Sequence, residues 1–571
     1  MLNQQDLNKF WILLLWPSFI FHACFAKEYY IKPSVNSSCH NQNSFFTDTL
    51  EQFIEQIISD TVSVNTTLVF HHGSHRLASN LAVNNASTFS MIAENATTKS
   101  VIIYSGFVTL SFTNVSKVCI MNLEFLAGEV GVPTANTVAL KAYKSSVTIS
   151  ECVFSNFTRT VINTSNGMLD LSECTITQNV VVKGAACFFH DSHVTVNETN
   201  FIHNTANNTG IVYANNSTIN VSDSNFSYNT AQNFGVLRVE MSGIVISNTR
   251  LASNIAGEWG VLFILSSQLV SIDVLDVYDN IAGLSTLDII NSSADFKGDI
   301  TYINNVGSFF IMDSQVVFYG STLFFNNTQR NYTNNYERGG AMTNIRSTAH
   351  FKSKAIFLDN ESWKAGGGIS AFGSRIYIHN ELIMANNLAT ERGGAIYLDQ
   401  SEFACRNICN FSGNTVHYTG GAIHASDSLL FVGSEWKECE SLGLMDSSLV
   451  FVDNSAKDGG GLYLEATSKI YGPKVKGFKY ELLFINNTAQ QRGSAIFVND
   501  QTNDAICSGD FKTQHPECFL QIPFFESQLW GDIVQMDGEN ALFGGLLDRC
   551  IVNNDFSDST LFKSAAHNVW P

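Results

Sequence analysis

Residues 193–213 read HVTVNETNFIHNTANNTGIVY, and the same order of residue types returns in the following segments of the chain. Val194 and Val196 alternate with polar residues, as in a strand with one buried face. Phe201 then precedes Asn204 by three positions, and a glycine opens another apolar run. The unit therefore contains three short strands and no helical period, which predicts one turn of a stacked β-structure.

The asparagine of this unit recurs at nearly constant spacing along the chain. Intervals of 25, 25, 25, 26 and 25 residues separate its first six occurrences, and each has an apolar residue three positions earlier. We call the following residues the ladder asparagines: Asn179, Asn204, Asn229, Asn254, Asn280, Asn305, Asn387, Asn414, Asn454 and Asn487. Asn tolerates the left-handed backbone conformation of a tight corner, and stacked amides can bond one another. We therefore predict a structural ladder inside the protein.

A glycine motif marks the same unit in the second half of the chain. Gly339-Gly340-Ala341-Met342 recurs at intervals of 27 residues as Gly-Gly-Gly-Ile and twice as Gly-Gly-Ala-Ile, beginning at Gly366, Gly393 and Gly420. Glycine suits a corner where φ is positive and another backbone passes closely. We predict an all-β, right-handed parallel β-helix solenoid with a short N-terminal capping helix over residues 47–58.

These paired motifs resemble a known family. The alternation of Phe411-x-x-Asn414 with Gly420-Gly421-Ala422-Ile423 is similar to the repeats of polymorphic outer membrane proteins, over roughly residues 170–500. The resemblance implies a pectin-lyase-like right-handed parallel β-helix and is specific for the fold but weak for function. The density of glycosylation sequences makes the chain look more like secreted or cell-surface β-helix proteins of eukaryotes.

The composition limits the classes of partner. The net charge is −19 and only 15% of the residues are charged. A nucleic-acid-binding protein needs clustered Lys and Arg, and anionic membranes attract basic segments. We therefore expect no nucleic-acid partner, and we expect the partner to be an unknown extracellular protein or glycan.

The N-terminus has the pattern of a signal peptide. Lys9 precedes an apolar run over residues 10–16, and Cys24-Phe25-Ala26 offers small residues for cleavage. No other run approaches the ~20 apolar residues of a membrane span, so we predict no transmembrane segment. The chain is predicted to be secreted or at the extracellular cell surface, unless an anchor follows Pro571. The predicted division is 1–26 signal peptide, 27–100 N-terminal cap and first coils, 101–502 β-helix, and 503–571 a cysteine-containing C-terminal cap or the start of a truncated domain.

Sequons and cysteines agree with secretion. The glycosylation candidates are Asn36, Asn65, Asn85, Asn95, Asn114, Asn156, Asn163, Asn197, Asn207, Asn220, Asn225, Asn291, Asn331 and Asn410. Eleven cysteines follow the predicted cleavage site, and disulfides are expected among them. Cys152 and Cys174 are expected on adjacent coils, either as a disulfide or as two free core thiols. Cys405 and Cys409 are close enough in sequence to pair locally.

The remaining clusters favour structural interpretations. His71, His72 and His75 lack a nearby acidic partner in sequence, and we interpret them as loop residues. Asp273, Asp276 and Asp279 fit a solvated strand edge. Glu337-Arg338 and Glu391-Arg392 fit surface ion pairs between coils.

The main alternative is a carbohydrate-active enzyme of the pectin-lyase type, either a polysaccharide lyase or a glycoside hydrolase. Glycoside hydrolysis needs paired carboxylates at one groove. The sequence contains no Asp-Asp pair and no Gly-His-Gly. We therefore predict no catalytic, cofactor-binding or metal-binding residue, and a non-enzymatic protein with a structural, adhesive or recognition role.

Overall fold

The computed structural model describes most of the repetitive part of the chain. The described residues are 66–105, 108–128, 138–182, 184–329, 339–432, 447–465, 468–473 and 480–499, with 27–31, 50, 519–521, 529–530 and 534–537. Three parallel sheets run along the solenoid, and the chain visits each sheet once per coil. The prediction of an all-β parallel β-helix is confirmed, whereas its right-handedness stays a prediction.

The first sheet has 18 strands, all parallel except for the last pairing. Its strands are Lys27–Ile31, Thr66–Phe70, Thr88–Ala93, Lys117–Met121, Ser146–Ser150, Met168–Ser172, His193–Asn197, Thr218–Ser222, Gly243–Ser247, Gln268–Ser271, Ser293–Phe296, Gln315–Phe318, Thr348–Phe351, Arg375–Ile378, Glu402–Cys405, Leu429–Val432, Lys469–Pro473 and Phe519–Gln521.

The second sheet follows the first along every coil. Its strands are Ser74–Leu77, Ser100–Tyr104, Leu123–Ala127, Val153–Ser155, Thr175–Thr177, Asn200–Ile202, Asn225–Ser227, Thr249–Ala252, Leu275–Tyr278, Ile300–Ile303, Thr322–Phe325, Ala355–Leu358, Glu381–Ala385, Ile408–Ser412, Ser447–Val452, Tyr480–Ile485 and Leu529–Trp530.

The third sheet contains one longer strand per coil and, in many coils, a short strand before it. The longer strands are Leu81–Asn84, Leu110–Thr113, Leu140–Tyr143, Ile162–Ser165, Cys187–His190, Val212–Asn215, Leu237–Glu240, Leu262–Leu265, Ile281–Ile290, Val306–Met312, Met342–Ile345, Ile369–Phe372, Ile396–Asp399, Ile423–Ser426, Leu462–Glu465, Ile496–Asn499 and Val534–Asp537. The preceding strands are Val180–Val181, Thr205–Ala206, Thr230–Ala231, Ile255–Ala256, Thr328–Gln329, Glu361–Ser362, Leu388–Ala389, Thr415–Val416, Ser455–Asp458 and Thr488–Arg492.

Side chains of like kind stack along the interior. The rings of Phe201 and Phe226 lie 4.6 Å apart and nearly parallel, and those of Phe324 and Phe357 lie 4.5 Å apart. These phenylalanines are the apolar residues that precede ladder asparagines, and all four are buried. One continuous core therefore runs through the coils, as expected when each repeat packs only against its neighbours.

The predicted asparagine ladder is present, and it extends through Asn327 and Asn360. Each Nδ2 before Asn487 donates to the Oδ1 of the next asparagine, as from Asn204 to Asn229 at 3.0 Å. The same Nδ2 donates to a carbonyl in the preceding coil, that of Ile176 for Asn204 at 2.7 Å. All twelve side chains are buried. A buried amide costs free energy unless its polar atoms are bonded, and the stacking of coils supplies those bonds.

The prediction that the ladder asparagines themselves adopt a left-handed backbone conformation was wrong. The ladder asparagines do not adopt positive φ; the residue before each of them does, including Tyr228 (φ 55°), Ser253 (φ 53°) and Asp279 (φ 55°). That residue turns the chain, so the asparagine after it faces inward. The hydrogen bonds of its side chain therefore explain asparagine at this position, and tolerance of a left-handed backbone does not.

Several sequence-based assignments lie outside the described residues. These are the signal peptide over 1–26, the capping helix over 47–58 apart from Leu50, and most of 503–571. Leu50 is buried in the core and is the one described residue with a helical backbone, so the described residues do not support the predicted capping helix. Among these residues, no helix is long and apolar enough to cross a membrane.

Candidate functional surface

A second ladder, made of serines, stacks at the corner between the third and first sheets. The backbone N–H of Ser217 donates to Ser242 Oγ at 2.9 Å, and that of Ser242 donates to Ser267 Oγ at 3.0 Å. Each hydroxyl donates to the carbonyl two residues earlier, as from Ser217 to Asn215 at 2.9 Å. Sequence reasoning missed this ladder, although the serines follow the same period as the asparagines.

Cys152 and Cys174 occupy a third ladder, between the first and second sheets. Both are free and buried. The N–H of Cys152 donates to Cys174 Sγ at 3.4 Å, and the N–H of Cys174 donates to Thr199 Oγ1 at 3.4 Å. Of the two alternatives, the structure therefore has free core thiols, which take the place of hydroxyl groups. Burial raises the pKa of the Cys152 thiol well above its usual range, which keeps it protonated and able to donate.

Cys405 and Cys409 form the predicted local disulfide, with their Cα atoms 6.3 Å apart.

The histidine cluster has partners that its interpretation as plain loop residues did not include. His75 is fully buried and its Nε2 lies 2.8 Å from the carbonyl oxygen of His71. His71 Nδ1 lies 2.5 Å from a carboxylate oxygen of Glu94, so an acidic partner exists after all. Glu94 belongs to the next coil and is distant from His71 in sequence, so the sequence analysis did not identify this contact.

The acidic and ion-pair candidates lie apart from one another. Asp273 and Asp279 are exposed, as predicted for a solvated edge, and Asp276 is half-buried. Arg392 donates to the Tyr397 hydroxyl at 3.1 Å, a contact that was not predicted, and the ion pairs expected between coils at this corner stay a prediction. Glu337 and Arg338 lie outside the described residues. Among the described residues, no group of three His, Cys, Asp or Glu side chains is arranged to hold a metal ion.

The glycosylation candidates differ in accessibility. Those that are exposed are Asn85, Asn95, Asn114, Asn156, Asn220 and Asn291. Those that are half-buried are Asn163, Asn197, Asn207, Asn225 and Asn410. Asn36, Asn65 and Asn331 lie outside the described residues.

A shallow groove of about 720 Å³ lies along the serine corner. Its lining is polar and includes Asn216 and Asn291, each the first residue of a sequon. Asn291 Nδ2 donates to Ser266 Oγ at 3.1 Å. The hydroxyls of the ladder serines in the groove are bonded to carbonyls within the corner. The groove is therefore mainly the outer side of a structural corner.

Two polar clusters lie on the outer side of the third sheet. The guanidinium of Arg238 lies 3.9 Å over the ring of Phe234, and its Nε donates to Glu240 at 2.8 Å. The Tyr213 hydroxyl donates to the other oxygen of Glu240 at 2.8 Å. Arg238 and Glu240 expose only 15% and 12% of their side chains, so this ion pair is largely shielded from solvent.

The second cluster surrounds His424, which is 2% exposed. Its Nδ1 lies 2.8 Å from Thr419 Oγ1, and its Nε2 lies 3.2 Å from Glu465 Oε2. The ring stacks on Tyr463 at 4.7 Å. The hydrogen bond from His424 lowers the pKa of Glu465; burial opposes this, and the charges of His424 and Arg392 add to it.

This order of hydroxyl, imidazole and carboxylate is also found in nucleophilic catalysis. However, the N–H groups of Gly420 and Gly421 donate to the carbonyls of Asp458 and Gly459. They are therefore engaged with the next coil and not directed at a reacting group.

The most extended accessible feature is a row of side chains next to the asparagine ladder. Because each ladder asparagine points inward, the residue after it points outward. We call ten of these residues, from Val180 to Thr415, the flank row: Val180, Thr205, Thr230, Ile255, Ile281, Val306, Thr328, Glu361, Leu388 and Thr415. They pair in register through ten coils, a length of about 43 Å at the usual spacing between strands.

Four large apolar side chains of the flank row are exposed, whereas its other six members, which are four threonines, Val306 and Glu361, are half-buried. Val180, Ile255, Ile281 and Leu388 expose 49, 47, 50 and 37% of their areas. Only one of the ten residues, Glu361, is charged. Single exposed apolar residues are common, but an aligned row on an acidic protein is the kind of surface that contacts a partner.

Comparisons with known proteins found one family model and several distant solved structures. The repeat of the Chlamydia polymorphic membrane protein family matches residues 408–426. A pectin methylesterase in complex with hexasaccharide VII is 12% identical, with a TM-score of 0.23, over 48% of this chain and 80% of that one. Pectin methylesterase PemA from Erwinia chrysanthemi is 9% identical, with a TM-score of 0.22 over the same shares.

A third solved structure covers more of the chain. The A-module of mannuronan C-5 epimerase AlgE6 from Azotobacter vinelandii is 9% identical, with a TM-score of 0.19, over 78% of this chain and 93% of that module. No curated protein sequence matches the chain. The short repeat match supports a parallel β-helix, while the likeness to these enzymes is too distant to carry their activities to this chain.

Proposed function

We propose that this chain is a non-enzymatic extracellular or cell-surface β-helix protein with a recognition role, and that it contacts an extracellular partner through the flank row. The observation that supports this most is the alignment, in one row, of the four exposed apolar side chains Val180, Ile255, Ile281 and Leu388. A flat apolar row suits binding by area, because burying it removes about 25 cal/mol of unfavourable hydration per Å². Its backbone is already paired within the sheet, so binding requires no refolding.

The distribution of sequons supports an extracellular location. Thirteen sequons lie between Asn85 and Asn326, whereas residues 339–499 contain three, at Asn360, Asn410 and Asn486. Asn360 is buried in the ladder and Asn410 is half-buried. If glycans occupy the first set, the coils after residue 339 are less shielded. The part of the flank row at Leu388 and Thr415 is then the more accessible part.

Binding of the purified full-length chain to intact cells of the species that expresses it tests the proposal. We expect Ile255→Lys and Leu388→Lys, alone and combined, to weaken binding at least tenfold, because each places a charge in the apolar contact. The matched control is Ile272→Lys, since Ile272 is also exposed, at 48%, but lies outside the flank row.

Two results would overturn the proposal. Equal binding by the flank-row variants and the control would remove the flank row as the contact surface. Release of unsaturated products or reducing ends from acidic polysaccharides by the wild-type chain would instead support the alternative, a carbohydrate-active enzyme.

A further inference from the structure

Asn163, one of the half-buried glycosylation candidates, lies beside an aromatic ring on the outer side of the third sheet. In the strands Ile162–Ser165 and Cys187–His190, Asn163 pairs in register with Phe188 of the next coil. Both residues alternate with buried neighbours along their strands, so both side chains leave the sheet on its outer side. Neighbouring strands are about 4.8 Å apart. A group attached to the Asn163 amide therefore lies next to the Phe188 ring.

The ring of Phe188 contacts other rings on its own coil and on the following one. Its centroid lies 5.4 Å from that of Tyr213 in the following coil and 6.5 Å from that of His190 in its own strand. Among the described residues, no ring from the coil of Asn163 contacts it. The column of side chains that continues through Tyr213 and Arg238 thus begins at Phe188, which is half-buried.

The amide of Asn163 is free to carry a substituent at its nitrogen. Its Oδ1 accepts from Ser165 Oγ at 3.4 Å, and its Nδ2 has no hydrogen bond to any residue that the structure describes. In contrast, the Nδ2 atoms of the candidates Asn197, Asn225 and Asn291 each donate to a neighbouring side chain. A glycan at Asn163 therefore displaces no hydrogen bond of the described fold.

We propose that Asn163 carries an N-linked glycan whose first N-acetylglucosamine packs against the open side of the Phe188 ring. The C–H groups on one face of a pyranose are apolar, and covering the ring with them removes apolar area from water. The sugar then occupies the place in the column where a further aromatic ring could stack. The inference rests on the extracellular location in the proposed function, because N-glycosylation occurs in secreted proteins.

The modification needs an activated sugar from outside the chain, which is a lipid-pyrophosphate-linked oligosaccharide. A bond forms between Asn163 Nδ2 and the anomeric carbon of the first sugar, while the bond between that carbon and a pyrophosphate oxygen breaks. The lipid pyrophosphate leaves with the electron pair, and Nδ2 gives up one proton. Ser165 supplies the hydroxyl that the acceptor sequence requires.

The full-length chain is expressed in eukaryotic secretory cells, and the mass of the peptide that contains Asn163 shows whether a glycan is attached. We expect Asn163→Gln and Ser165→Ala, which both remove the sequon, to lower the thermal unfolding midpoint by about 2 °C. Ser165→Thr keeps the sequon and should leave the midpoint unchanged. Phe188→Leu keeps an apolar side chain but removes the ring, so Asn163→Gln should have no effect in that background.

Asn220→Gln is the matched control for loss of a glycan from a strand. Asn220 pairs in register with Thr195 and Val245 and not with an aromatic residue, so its substitution should not change the midpoint. Trimming every glycan to one N-acetylglucosamine with an endoglycosidase should preserve the effect of Asn163→Gln, because the contact involves the first sugar.

Three results would overturn the inference, and they are distinguishable. Equal effects of Asn163→Gln with and without Phe188→Leu would exclude the contact with the ring. An unmodified Asn163 on a chain that is glycosylated elsewhere would exclude the site and leave the extracellular location intact. A secreted-cell preparation with no glycan at any sequon would count against the extracellular location itself. None of these results bears on the flank row, whose variants are tested separately on cells.

Discussion

Asn254 Oδ1 accepts two hydrogen bonds from the same residue: one from Asn229 Nδ2 at 3.1 Å and one from the Asn229 backbone N–H at 3.0 Å. Asn254 Nδ2 in turn donates to the carbonyl of Phe226 and to Asn280 Oδ1. One amide therefore links three coils. Such a chain of bonds in a buried site is costly to interrupt, because a buried polar group without a partner costs more than a bond contributes.

Asn254→Ala is expected to destabilise the solenoid strongly. It removes all four bonds and leaves the N–H of Asn229 and the carbonyl of Phe226 without these buried partners. At about 1–3 kcal/mol for each unsatisfied group, the loss is about 3 kcal/mol or more. The midpoint of chemical unfolding, followed by circular dichroism, measures it. Asn220→Ala is the control, because Asn220 is exposed on a strand and its loss should change stability by less than about 0.5 kcal/mol. Equal midpoints would show that the ladder contributes little.

Two glycines give a matched test of the corner conformation. Gly413 has φ of 62° at the position before ladder residue Asn414, and an added Cβ would lie 2.6 Å from Asn386 Oδ1. Gly413→Ala is expected to destabilise by about 1–2 kcal/mol. Gly243 opens a strand and has nothing within 4 Å of an added Cβ, so Gly243→Ala should be neutral or stabilise by about 0.5 kcal/mol. Unfolding midpoints that moved in the same direction would contradict this account.

The sequence was sufficient to predict the coil and its interior. The period of the asparagines and the alternation at Val194 and Val196 follow from the fold directly, because every coil meets the same environment. Features that depend on contacts between coils were harder to predict. Glu94 is far from His71 in sequence, and the two side chains meet only because their coils stack.

The surface was predicted least well. The flank row was not predicted, because most of its members are Val, Ile, Thr or Leu, which are typical residues of any β-strand. Only the register shows that they align on one side.

Cys174 tests the role of the thiol ladder. Cys174→Ser is expected to change stability little, because Ser224 accepts from the N–H of Thr199 at 3.1 Å at the equivalent position of a later coil. Cys174→Val keeps the volume but removes the acceptor for the N–H of Cys152, which should cost about 1–3 kcal/mol. The difference between the two unfolding midpoints is the measurement. If Val is tolerated as well as Ser, the thiol acts only as a hydrophobic core residue.

The His424–Glu465 contact predicts how stability depends on pH. Because the hydrogen bond from His424 lowers the pKa of Glu465 in the folded chain, the carboxylate stabilises the fold above the unfolded pKa of about 4.3. That contribution is lost as the pH falls through the lower folded pKa. The side chain of Glu465 is 37% exposed, so solvent screening keeps the contribution below about 1 kcal/mol. We expect the unfolding midpoints of wild type and Glu465→Gln to differ at pH 7 and to converge below pH ~4.3 as the wild type loses this contribution. His424→Phe should remove most of this pH-dependent contribution, because the folded pKa of Glu465 then returns toward its unfolded value. A wild type and Glu465→Gln with parallel pH profiles would rule out the contact as the cause.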